Sequence, residues 1–119
     1  MLLCSDLSKL GQRILLEREP QLRADIVVAG MPNLDEPLGN ALLDAIQPRV
    51  IIVSAGSYPS NELASKGLRE RLNRRGVPVL FTSDVGAVTM AFKPGGWDAR
   101  TLKGSRYSSE SINPASASP

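Results

Sequence analysis

Two short runs, Asp25-Ile26-Val27-Val28-Ala29 and Val50-Ile51-Ile52-Val53, constrain this chain more than anything else in it. Both are rich in β-branched residues and neither alternates with polar positions, so a strand built from either has both faces buried. Around them lie segments of helical spacing. Leu7, Leu10 and Ile14 recur at i, i+3 and i+7, and that helix is expected to end before Pro20. Leu38, Leu42 and Ile46 repeat every four residues, with Asp35 as N-cap and Glu36 and Pro37 in the first turn. Ser60 or Asn61 caps a third helix that runs to about Arg75, where Gly76 stops it. Leu2-Leu3 opens a strand ending at Ser5-Asp6. Val77-Pro78-Val79-Leu80-Phe81 supplies another, placed by its proline at an edge or a strand start. Thr82-Ser83-Asp84-Val85-Gly86 then reads as a tight connection into a weakly alternating antiparallel hairpin over 87–92.

The predicted order, β-α-β-α-β-α-β-β, is α/β: a parallel sheet carrying helices and closed by a terminal antiparallel hairpin. At 119 residues the chain is one domain at most. Gly, Ser and Pro dominate after Pro94, so 98–119 is expected as a flexible Ser/Pro-rich tail behind a domain spanning 1–97. One cysteine and no histidine exclude a disulfide framework, a Cys-built zinc site, imidazole bases and His-ligated metals. No apolar run approaches the roughly 18 residues of a membrane span. Without a visible signal peptide, the chain taken alone reads as cytosolic, with Cys4 a small buried core residue.

Charge is unevenly placed. Residues 1–60 hold five basic and seven acidic groups, and residues 61–119 hold nine and five. Much of the excess falls on the third helix, in Lys66, Arg69, Arg71, Arg74 and Arg75. Such a cluster either contacts phosphates or forms a solvated helix face. In open α/β sheets ligands bind beyond the carboxyl ends of strands. Here those ends carry Asp6, the 30–33 loop, the 54–60 loop and Asp84. Asp6 reads as a helix cap or as a metal or catalytic carboxylate, and Asp84 as a turn-former. Ser54, Gly56, Ser57 and Ser60 suit either an anion at a helix N-terminus or ordinary capping. None of the serines has a histidine to activate it, so nucleophilic catalysis is poorly supported. Trp97 and Tyr107 are placed to stack on bases, or Trp97 to pack over a sheet edge.

Leu2-Leu3-Cys4-Ser5-Asp6 resembles the strand-plus-"GD" element of metallo-β-lactamase-fold proteins. The resemblance extends through 22–28, the run Ala41 to Gly56, 68–72, 75–80 and 82–89. In order and spacing these are similar to the C-terminal part of the hydrolase-like domain of ComEC-family competence proteins. It implies half of an αββα sandwich, in a domain attached to a bacterial inner-membrane protein that imports single-stranded DNA during transformation. Two divalent metal ions, zinc or manganese, would be held in that family by H-x-H-x-D-H, a further His, the "GD" Asp and an "HHGS" His. The motif H-x-H-x-D-H does not occur in this sequence, Gly30-Met31-Pro32-Asn33 stands where "HHGS" is expected, and Ser5 replaces the Gly before Asp6. Asp6 is left as a vestigial ligand, and no cofactor is expected.

The leading expectation is therefore a degenerate, non-catalytic domain related to DNA uptake. Its partners would be single-stranded DNA, and an N-terminal half or membrane-channel part of a longer protein. A half-fold of this kind would leave one sheet face uncovered and prone to self-association. Two alternatives stand beside it. One is a metal-dependent nuclease completed by a missing N-terminal part. The other is a small anion- or nucleotide-binding module of flavodoxin-like topology that uses the 54–60 loop.

Overall fold

The computed structural model describes residues 1–5, 8–30, 37–54 and 66–109. It is mixed α/β with two sheets. β1 (Leu2–Ser5), β2 (Ile26–Gly30), β3 (Val50–Ser54) and β4 (Val79–Phe81) form a parallel sheet in the order β1-β2-β3-β4. α1 (Lys9–Arg18), α2 (Asn40–Ile46) and α3 (Lys66–Asn73) connect them. A one-turn helix, α4 (Thr82–Val85), leads into a separate antiparallel sheet of β5 (Val88–Lys93), β6 (Gly96–Thr101) and β7 (Arg106–Ser108).

The strand order explains the layers. Right-handed crossovers along a sheet whose order never reverses put every crossover helix on the same face. Leu42, Leu43 and Ile46 of α2, Leu68 and Leu72 of α3, and the partly buried Leu15 and Leu16 of α1 accordingly share one core. They meet Cys4, Val27, Ala29, Ile51, Val53 and Phe81 there. The alternate strand residues Ile26, Val50, Ile52 and Leu80 point the other way, into a second core with Trp97 and Ala99 of β6. The unbroken β-branched runs are thus covered by helices on one side and by a sheet on the other. Fully burying each such side chain contributes on the order of 1.5–3 kcal/mol.

Several expectations change. The antiparallel strands do not close the parallel sheet; they pack across its face. That face, expected to be open to self-association, is covered at Ile26, Val50, Ile52 and Leu80. Residues 98–109 are not tail: they complete β6 and form β7, and 110–119 lie outside the described residues. The hairpin turn is Pro94-Gly95, the proline presetting its own φ and Gly95 adopting φ +81°. α1 begins at the Ser8 cap and ends before Pro20, yet Leu10 and Ile14 lie on its exposed side. Its inward face is Leu15, Leu16 and the buried Gln12, whose Oε1 accepts from Gly39 N–H at 2.6 Å. That bond serves the N-cap of α2, which starts at Asn40 rather than behind Asp35. Asp35, Ser60 and Asn61 fall outside the described residues.

Candidate functional site

The five basic residues singled out on the third helix are all described: Lys66, Arg69 and Arg71 lie in α3, and Arg74 and Arg75 just past its end. Leu68 and Leu72, four apart, seat the helix on the sheet and leave the flanking positions to the charged side chains. Arg71, Arg74 and Arg75, with Asn40 and Asp44 of α2, line a groove of about 390 Å³.

Most of this charge is already engaged. Arg71 donates to Leu38 O at 2.6 Å, Pro37 O at 3.1 Å and Asn40 Oδ1 at 3.1 Å. Leu38 needs that support: it is buried with φ +54°, a left-handed conformation that costs an L-residue roughly 1–2 kcal/mol. Arg75 pairs with Asp44 at 2.9 Å. Arg69 forks onto both carboxylate oxygens of Asp84, reaches Ser83 Oγ, and stacks 4.3 Å above the Phe81 ring. Among the described residues, Lys66 and Arg74 make no ion pair. The run therefore works first as a set of staples, from α3 to α2, to the segment before α2, and to α4.

Asp84, expected in a turn, sits in the first turn of α4. The hydrogen bond from Arg69 holds its carboxyl below the usual range; desolvation opposes it, and the charges of Arg69 and Lys103 add to it. Burial pushes the Cys4 thiol up, so it stays protonated at neutral pH and behaves as a core residue. Trp97 is not at a sheet edge. It lies in the central strand of the antiparallel sheet, 5% exposed, with Nε1 lacking a partner among the described residues, and cannot stack on a base. Tyr107 is half-buried against the same core.

Of the anion loop, Ser54 is exposed at the carboxyl end of β3, opposite Gly30 of β2. Gly56, Ser57 and Ser60 lie outside the described residues, as does Asp6. The flavodoxin-like expectation fails on topology. The order β1-β2-β3-β4 never reverses, so the sheet has no switch point to open a nucleotide crevice.

The donors present do not fit a dinuclear hydrolytic centre. Among the described residues no group of three or more His, Cys, Asp or Glu comes together, and the sequence has no His at all. No described helix is long and apolar enough to cross a membrane.

Sequence reasoning missed a second basic surface. β6 alternates Trp97, Ala99 and Thr101 inward with Asp98 and Arg100 outward, which places Arg100 directly opposite Arg106 of β7. The alternation in 97–101 was the available signal.

Comparison with known proteins gives one informative match. The chain is 25% identical over 92 residues to the ComE operon protein 3 of Bacillus subtilis (strain 168), an alignment covering 77% of this chain and 12% of that protein. The chain thus spans about an eighth of the length of that relative. No family model matches, and no solved structure matches.

Proposed function

We propose that this chain is a non-catalytic, ComEC-like domain that takes part in DNA uptake during natural transformation. The observation that carries the reading is the 92-residue alignment with the ComE operon protein 3, a name that points to competence. The architecture is compatible with it. One helical layer, a parallel sheet and a second sheet correspond to three layers of an αββα sandwich, the C-terminal half that the sequence resemblance implies. A further part of a longer protein would supply the fourth layer and the membrane channel. The non-catalytic part of the reading rests on the donor set, since one carboxylate, Asp6, cannot hold two hydrolytic metals.

The test is genetic and biochemical. Deleting the coding segment in its own host and following labelled donor DNA should abolish import of the strand. Undiminished import overturns the uptake reading. Purified protein incubated with DNA and manganese or zinc should leave it intact. Metal-dependent cleavage that disappears in Asp6→Ala would replace this reading with that of a nuclease.

A further inference from the structure

The outer face of the antiparallel sheet holds the arrangement that the fold itself does not explain. Arg100 and Arg106 are register partners on adjacent strands and both are exposed. Directly opposed side chains stand roughly 5 Å apart at Cβ, and like charges there are destabilising. Among the described residues neither arginine has an ion pair. The nearby carboxylate on that face, Asp98, is turned to Lys93, 3.7 Å away. Lys103 lies in the turn between the two strands, where its charge acts on Asp84 of α4. That turn is held in place: Leu102 N–H donates to Ala87 O, Lys103 N–H to Val85 O, and Ser105 N–H to Thr101 Oγ1. Two arginines are thus displayed on a pinned hairpin, beside the small or polar Thr89, Ala91 and Ser108.

We propose that this face, centred on Arg100 and Arg106, docks the phosphodiester backbone of a nucleic-acid strand. A guanidinium fork matches phosphate oxygens two at a time, and a phosphate between two opposed arginines converts their repulsion into attraction. Among the described residues the face has no apolar anchor of the kind a membrane surface site requires. Exposed Leu102 projects from the turn, where it packs over Gly86, and exposed Phe92 lies in the Trp97 row. The inference shares a nucleic-acid ligand with the proposed function but assigns it to β6 and β7 rather than α3.

The experiment measures binding of the full chain to a labelled single-stranded oligonucleotide, and to a duplex, from 50 to 200 mM salt. Arg100→Ala/Arg106→Ala should weaken single-strand binding by ten-fold or more at low salt. It should also reduce the slope of log K against log[salt] by about 1.4, since two phosphates are no longer neutralised and each accounts for roughly 0.7. Lys66→Ala/Arg74→Ala should change the affinity less than two-fold. Arg100→Glu is the control for folding: it creates a cross-strand Glu–Arg pair, so it should raise the melting temperature while abolishing binding. Equal loss on duplex assigns the site to phosphodiester in general, and a loss confined to the single strand narrows it; both support the proposal. Three outcomes overturn it: binding lost only in the α3 variant, no oligonucleotide binding by the wild-type protein, or arginine-dependent binding to anionic-lipid vesicles without oligonucleotide binding. Because import of DNA by the host is not read here, failure of this surface leaves the uptake reading standing, and the converse holds.

Discussion

The parallel sheet is covered by two layers that use their basic residues in opposite ways. On the helical layer, Arg69, Arg71 and Arg75 each find an acceptor in a neighbouring element: Asp84, the carbonyls of Pro37 and Leu38, and Asp44. On the antiparallel layer, Arg100 faces Arg106 with no described carboxylate between them. A cluster of arginines in sequence is therefore a poor guide to free charge. Helix α3 packs against elements that supply acceptors, whereas the outer face of the second sheet packs against nothing described. Positive charge that the fold absorbs stabilises the fold, and charge that the fold leaves opposed is available to a ligand.

This contrast can be broken or sharpened by substitution. The largest effect is expected at the joint between the layers. Trp97→Ala should cost about 3–5 kcal/mol by urea denaturation, because Trp97 fills the core under the second sheet. A cost near zero would mean that this sheet is not an integral cover. Trp97→Phe should be much milder, since it removes the Nε1 that has no described partner. Next comes Arg71→Ala, at about 2–3 kcal/mol, since it strips two carbonyls and the left-handed Leu38 of their charged donor. Arg74→Ala, one turn along the same groove, should stay within about 0.5 kcal/mol. Equal costs for the two would erase the distinction between stapled and free arginines.

A smaller effect is expected at Asp84, where the exposed pair with Arg69 contributes about 1 kcal/mol or less. Its carboxyl titrates lower in the folded than in the unfolded chain. The contribution is therefore complete above the unfolded value of about 3.9 and is lost as the pH falls through the folded value. Denaturation midpoints of wild type and Asp84→Asn should differ at neutral pH and converge in acid; a constant gap would show that the pair is not the cause. The smallest change is a gain. Arg100→Glu should stabilise the second sheet by about 0.2–1 kcal/mol, read as a raised melting temperature. A fall would show that the two arginines do not repel in the folded state.

Much of the parallel sheet was legible before its structure. The runs 26–29 and 50–53 have a composition that only a doubly covered strand tolerates, and Pro78 does precede an edge strand. The face of α1 was misread because its leucines and isoleucine occur on several sides. Periodicity ranked Leu10 and Ile14 first, while the sheet selects Leu15 and Leu16. The second sheet was only half seen: its glycines and serines resemble a linker, and the alternation at 97–101 is brief. Of the candidate site, the basic residues of α3 were found by composition, but their partners lie 14 to 34 residues away in sequence, beyond any local pattern.

The sequence by itself determined the α/β class, the two central strands and the absence of any histidine chemistry, because these follow from residue type and local spacing. Tertiary structure alone decided that the crossover helices α1, α2 and α3 lie on one face, that a second sheet covers the other, and which arginines are engaged. Those outcomes depend on strand order and on contacts between distant segments, and a linear pattern carries neither.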